Sequence, residues 1–394
     1  MSLKTEFLTY LAQTSPQTMG LEVERAEGVY LIGPDGRKTI DFISGICVNN
    51  LGHGVPEVVE AVQQQAAKSL HAMVYGEVIQ SPQVQYAKAL SDVLDDRLNQ
   101  VYFVNSGAEA IEASLKVAKR FTGREEIVTC HNAYHGSTHG ALSVSGNPES
   151  KKGYGPLLPK VRHIRFNSFE DLAHITAQTA AFVVEAIQGA GGVILPQPGY
   201  LQAARDRCTE TGTLLIMDEI QTGFGRTGSL FAHQHFGVVP DVLVLAKALG
   251  GGMPIGAFIT DRDIFSVIQK DPVLGHITTF GGHPVCCAAG LAAFQKLQQD
   301  RVLERIPRLE KVLREHLQHP AMVELRGIGM LYALQLNSYE EASQVRAEAQ
   351  CRGLLTIGFL NIPDGLRMCP PLTITEKELI EGCNILKASM DTLQ

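Results

Sequence analysis

A lysine sits inside the most apolar stretch of the chain, residues 242–259. Lys247 follows Asp241-Val242-Leu243-Val244-Leu245-Ala246 and precedes Ala248-Leu249-Gly250-Gly251-Gly252. The run before it has the make-up of a buried strand. Lys247 is therefore expected at a strand's C-terminal end, the edge where open α/β sheets bind ligands. Burial disfavours the ammonium ion and makes the amine a nucleophile. The plain alternative is a lysine snorkelling from a strand end. The glycines after it favour a ligand, because they let backbone approach something bulky. Asp218 ends a second apolar run, Leu214-Leu215-Ile216-Met217. It either caps the following turn or faces the same crevice as Lys247. A lysine and a carboxylate in one crevice suit a pyridinium cofactor: the lysine forms a Schiff base and the acid keeps the ring nitrogen protonated.

A phosphate needs a seat. Val101-Tyr102-Phe103-Val104 runs into Asn105-Ser106-Gly107-Ala108-Glu109 and then a helical pattern. A helix N-terminus offers free N–H groups and a positive dipole end. Ser106-x-x-Glu109 also reads as a capping box, and Ser106 cannot fully cap and serve a phosphate at once. Tyr134, in Ala133-Tyr134-His135-Gly136, either stacks on a ring or packs in the core. His135 and His139 stand at i, i+4, but no acidic third ligand lies near them in sequence, so no metal is expected.

Short strands and covering helices must position these residues. Residues 29–32 and 39–42 flank Gly33-Pro34-Asp35-Gly36, which predicts a hairpin. Residues 56–71 repeat apolar positions at helical spacing, as do Ala108, Ile111, Leu115 and Ala118. Strands are predicted at 101–104, 126–129, 181–185, 214–217 and 242–246, most of them apolar on both faces and separated by helical segments. The pattern is that of an α/β fold with a mostly parallel sheet covered by helices. After residue 300 charged helices over 301–318 and 339–352 alternate with strands near 331–336 and 354–357, a second and smaller α/β unit.

Composition narrows the function. A chain of 394 residues suggests two or three domains. With 45% apolar and 19% charged residues it can bury a real core, which excludes global disorder. The net charge of −7 and the lack of long like-charge runs argue against a nucleic-acid partner. Eight cysteines without a CxxC read as reduced thiols of a cytoplasmic protein. Met1-Ser2-Leu3-Lys4 lacks a signal peptide's apolar core. Lys247 and Gly250-Gly251-Gly252-Met253-Pro254 interrupt the apolar stretch, so no membrane span is expected.

Six motifs occur in order: Asn105-Ser106-Gly107-Ala108-Glu109-Ala110, Tyr134-His135-Gly136, Glu185-Ala186-Ile187-Gln188-Gly189, Asp218-Glu219-Ile220-Gln221-Thr222-Gly223-Phe224-Gly225-Arg226-Thr227-Gly228, Ala246-Lys247-Ala248-Leu249-Gly250-Gly251-Gly252 and Thr279-Phe280-Gly281-Gly282-His283-Pro284. With these, nearly the whole chain resembles the class III, pyridoxal-phosphate-dependent aminotransferases of the acetylornithine and ornithine kind. The resemblance implies a type I fold: a large cofactor domain (46–285), a small C-terminal domain (286–394) and an N-terminal segment (1–45) packing with the latter. It implies a homodimer with active sites at the interface. Lys247 becomes the Schiff-base lysine and the shuttle for a 1,3-proton transfer. Asp218 pairs with the pyridine nitrogen, Gln221 reaches the ring hydroxyl, and Ile220 lies under the ring opposite Tyr134. Ser106, Gly107 and Ala108 cradle the phosphate, Glu185 belongs to the cofactor site, and Thr279 contacts the other subunit's phosphate. Arg367 matches the arginine that clamps a substrate carboxylate; a surface salt bridge is its plain alternative.

Two departures stand out. Relatives usually carry an arginine where this chain has Ser137, and a glutamate where it has Ala190. The first commonly holds a second carboxylate; the second commonly neutralises the arginine matching Arg367. The expected activity is amino transfer from an amino acid or ω-amino donor to a 2-oxo acid such as 2-oxoglutarate. A racemase, aminomutase or decarboxylase on the same scaffold is the alternative, and a non-enzymatic binding protein a third. A nicotinamide enzyme is disfavoured, since no GxGxxG with a downstream acid is present.

Overall fold

The computed structural model describes residues 2–16 and 18–393. Seven strands form the central sheet: β1 (Gln100–Val104), β2 (Glu126–Cys130), β3 (Val161–Ile164), β4 (Thr179–Glu185), β5 (Leu214–Asp218), β6 (Val242–Leu245) and β7 (Gly256–Thr260). Their spatial order is β1-β7-β6-β5-β4-β2-β3. Strands β2 to β6 pair in parallel. Only β7 runs the other way, antiparallel to both β6 and β1.

The three central strands explain the layering. β4, β5 and β6 are buried at every residue, so both faces must be covered. Alternation sorts their side chains. Val183, Ile216 and Val244 pack with Ile111 and Leu115 of the helix Gly107–Thr122. Val184, Leu215 and Met217 pack with Tyr200, Ala204 and Cys208 of the helix Tyr200–Thr211 on the opposite face. The helix Gly107–Thr122 starts at Ser106, whose hydroxyl accepts from Glu109 N. It stops at Gly123, which takes the left-handed conformation at φ 68°.

The predicted hairpin forms between Tyr30–Ile32 and Lys38–Asp41. Lys38–Asp41 also pairs in parallel with Leu354–Leu355, Ile40 opposite Leu354. A third sheet has the order Glu324–Ile328, Leu331–Gln335, Gly365–Met368, Ile357–Gly358, all antiparallel.

Some expectations change. The strand predicted over 354–357 splits: Leu354–Leu355 joins the hairpin, while Ile357–Gly358 joins Gly365–Met368. The helix predicted over 301–318 is a 3₁₀ turn, Val302–Arg305, followed by an α-helix, Ile306–His316. Pro307 lacks an N–H and suits a helix's first turn, so the α-helix begins afresh there. The apolar stretch around Lys247 is a strand, a turn and a strand. Among the described residues no helix is long and apolar enough to cross a membrane.

Candidate active site

The C-terminal ends of β4, β5 and β6 lie side by side. Glu185 is level with Asp218, and Asp218 with Val244. Lys247 opens the turn that follows β6. A cavity of about 910 Å³ lies at this edge, and Lys247, Asp218, Glu185, Tyr134 and Arg367 all line it.

Lys247 sits in the left-handed region at φ 51°, a conformation that non-glycine residues hold only when the surroundings impose it. Burial pushes its pKa down, and Arg367 adds to this against the pull of Cys47, Asp218 and Glu185. Its amine has no hydrogen-bond or ion-pair partner among the described residues. Only part of the glycine expectation holds. Gly252 lines the cavity, but Gly251 is glycine for packing: a Cβ there would lie 2.6 Å from that of Ala293.

Asp218 is held on both oxygens. Oδ1 accepts from Ile220 N at 2.9 Å, and Oδ2 lies 2.8 Å from His135 Nδ1. His135 is fully enclosed. Burial alone would lower its pKa, but the hydrogen bond and charge of Asp218 outweigh that and raise it. Glu185 accepts from Tyr134 N at 3.3 Å and Gly189 N at 3.1 Å. Burial lifts its pKa to about 7, with Asp218 adding to the rise and His135 opposing it.

At the end of β1, Ser106 caps the helix through Glu109 N at 3.2 Å. The expected capping box is only half made. Glu109 Oε2 turns instead to Asn105, accepting from N at 2.7 Å and Nδ2 at 2.9 Å. The N–H groups of Gly107 and Ala108 have no acceptor among the described residues. Gly107 must be small, because a Cβ would stand 2.6 Å from Ile220 Cδ1. Tyr134 and Ile220 both line the cavity. Gln221 also lines it, with Nε2 3.8 Å from Cys47 Sγ.

Arg367 lies on the strand Gly365–Met368, between Ala333 and Ile357 in register. It is 5% exposed, so the surface salt bridge is excluded. Its guanidinium makes no hydrogen bond to a described residue, and its Nε is buried without a partner. It lies over the Phe359 ring, 4.8 Å from centroid to Cζ. Ser137 and Ala190 line the same cavity. Thr279 does not: it is exposed and outside the cavity of its own chain.

One wall comes from an unusual turn. Ser44, Gly45, Ile46 and Cys47 all have positive φ, from 43° to 64°. Asp41 Oδ1 accepts from Ile43 N and Ser44 N, both at 2.8 Å. His53 Nε2 meets the other Asp41 oxygen at 2.8 Å, and Arg226 Nη2 donates to Ser44 Oγ at 3.1 Å. This scaffold holds the strained turn, and Gly45, Ile46 and Val48 face the cavity.

The family profile described as aminotransferase class-III matches residues 10–390. The chain belongs to the class III aminotransferases. It is 41% identical to an acetylornithine aminotransferase of Streptomyces coelicolor, over 91% of this chain and 88% of that one. It is 38% identical to a putrescine aminotransferase of Pectobacterium atrosepticum, over 92% and 80%. Among solved structures, the ornithine aminotransferase of Toxoplasma gondii, described with partial occupancy of PLP at its active site, superposes with a TM-score of 0.90. That likeness has 29% identity and covers 98% of this chain and 93% of that one.

This class III enzyme is thus a pyridoxal-phosphate-dependent transaminase of the fold the sequence implied. Its cavity fits the group: an unpartnered lysine for the carbonyl, a buried carboxylate for a ring nitrogen, and free helix N–H groups for a phosphate. Sequence reasoning missed the partner of Asp218. His135 was weighed only as a metal ligand with His139. In the fold it turns inward to Asp218, while His139 is exposed. Its adjacency to Tyr134 was the available signal. Nothing in sequence pointed to Phe359 or to Cys47.

Proposed function

We propose that this transaminase moves an amino group from an ornithine-like amino acid, such as N-acetylornithine, to 2-oxoglutarate or a similar 2-oxo acid. The observation that carries the reading is the free Lys247 amine beside a fully committed Asp218 in one cavity with Arg367. The curated relatives named for acetylornithine support the donor class.

Pyridoxal phosphate, when bound, supplies the electron sink that makes a proton next to the amino nitrogen removable. Lys247 would hold the cofactor and, when free of it, move that proton at Nζ; burial lowers its pKa and so favours the base form. Asp218 would pair with the ring nitrogen, and His135 orients its carboxyl. Gln221 would reach the ring hydroxyl. Tyr134 and Ile220 serve as the two flat walls, Glu185 fixes the Tyr134 backbone, and Ser106, Gly107 and Ala108 hold the phosphate. Arg367 takes the substrate carboxylate as a two-pronged donor.

The protein works as a homodimer in the cytoplasm, with the domain limits 1–45, 46–285 and 286–394. Support for the dimer is a set of exposed apolar side chains. Ile79 is 93% exposed and Val273 72%; Leu70, Met73, Ile277 and Phe280 are exposed as well. The Phe280 ring packs on His71 at 5.0 Å, joining the two segments beside Thr279. A second copy covering this face would bring its Thr279 toward the phosphate seat.

The test is a donor panel of N-acetylornithine, ornithine and putrescine, followed by cofactor absorbance and by consumption of 2-oxoglutarate. Absorbance changes matched one-for-one by loss of the 2-oxo acid are expected. Product formation without any 2-oxo acid would instead mark a racemase, aminomutase or decarboxylase. Light scattering reads the dimer.

A further inference from the structure

Arg367 poses a problem that the cavity itself does not solve. A buried guanidinium is costly unless paired, yet Arg367, a residue 5% exposed, has no carboxylate and no hydrogen-bond acceptor among the described residues. The segment that supplies its ring contact is firmly held. Gly358 and Leu360 line the cavity, while Phe359 between them turns behind Arg367. Phe359 rests on Gly365, where a Cβ would stand 2.9 Å from its Cδ2. Two residues on, Asn361 ties the segment down. Its N donates to Ala190 O at 3.2 Å, its Nδ2 to Asn132 O at 2.6 Å, and its Oδ1 accepts from Asn147 Nδ2 at 2.9 Å.

We infer that Phe359 is the positioning residue of the carboxylate site: its ring holds the Arg367 guanidinium flat and leaves its donors uncommitted. A ring face attracts a cation without occupying its N–H groups. An acidic partner would occupy them and would have to be displaced at each binding event. Because no carboxylate among the described residues pairs with Arg367, it is open to substrate in both half-reactions. The donor as well as the acceptor must then bring a carboxylate, since a substrate without one leaves a buried cation unpaired. This rests on the transaminase reading and goes further, naming the residue that sets the site and the substrates it excludes.

The experiment uses the holoenzyme and glutarate, a dicarboxylate that cannot react, titrated by calorimetry. Phe359→Leu should weaken glutarate about tenfold and raise the KM for 2-oxoglutarate equally, with kcat within about twofold. Phe359→Tyr, which keeps the ring face, should bind like wild type. In an Arg367→Ala background the leucine substitution should have no further effect. Ornithine should be a far better donor than putrescine, and Phe359→Leu should narrow that gap. The inference is overturned if Phe359→Leu leaves glutarate affinity unchanged, if its effect persists without Arg367, or if putrescine matches ornithine. Failure of wild type to consume 2-oxoglutarate would defeat the transaminase reading. The glutarate titration would still test Phe359 by itself.

Discussion

The two sides of the cavity treat charge in opposite ways. At the ends of β4 and β5 every carboxyl is committed. Asp218 is held by His135 and the Ile220 backbone, and Glu185 by two backbone N–H groups. Beyond β6 and on the strand Gly365–Met368, Lys247 and Arg367 have no hydrogen-bond or ion-pair partner among the described residues. Paired groups define geometry and do not move; unpaired buried basic groups are places waiting for something to arrive. The contrast separates residues that hold from residues that react without reference to any relative.

Breaking the uncommitted side should cost most. Lys247→Ala should lower turnover by about 10⁵-fold or more, as loss of a covalent catalyst does, measured by donor-dependent consumption of 2-oxoglutarate. On the committed side, Asp218→Asn keeps the shape and removes the charge. It should cost about 10³-fold in kcat, the scale of a preorganised electrostatic group, with the cofactor still bound by absorbance. Arg367→Ala removes a two-pronged carboxylate contact. It should raise the KM for 2-oxoglutarate about a hundredfold while changing kcat far less.

The smallest effect sharpens the comparison through pH. Glu185 has its pKa raised from 4.5 to about 7 by burial, so the folded chain favours its neutral form. That stability is fully present below 4.5 and is lost as pH rises through about 7. His135 is also raised, from 6.5, because Asp218 outweighs burial. Its contribution is full below 6.5 and fades as pH climbs through the raised value. Thermal melting of cofactor-free protein should therefore fall by a few degrees from about pH 5 to about pH 8. Glu185→Gln should flatten the lower part of that fall. An unchanged slope in the variant would mean that Glu185 is not the titrating group.

Legibility in the sequence followed the same divide. Strands β4, β5 and β6 were readable because burial on both faces demands unbroken apolar runs, and their ends gave Asp218 and Lys247 directly, while Glu185 came only with the resemblance. β7 was not, because Gly256–Thr260 continues the apolar stretch after Lys247 and carries no alternation. β3 was missed for the opposite reason: as an edge strand it is partly exposed and mixes Arg162 and His163 with apolar residues. Arg367 was placed by motif alone. What surrounds it depends on how Phe359 folds over Gly365, a contact no spacing encodes. The His135–Asp218 pair joins residues 83 apart and is equally invisible to a local reading.

The left-handed turn at Ser44–Cys47 has a consequence in time. Its Ser44 hydroxyl bonds the Cys369 carbonyl, 325 residues away, and Phe42 O accepts from Cys369 N at 2.7 Å. Contacts of such separation are slow to form, because loop closure must precede any gain from them. Strands β2 to β6, which fall within residues 126–245, can assemble while synthesis continues; this wall of the cavity cannot. The strained turn locks only after Gly365–Met368 has been made. A nascent chain therefore carries its lysine at a half-built edge, and the enclosed pocket is among the last features to appear.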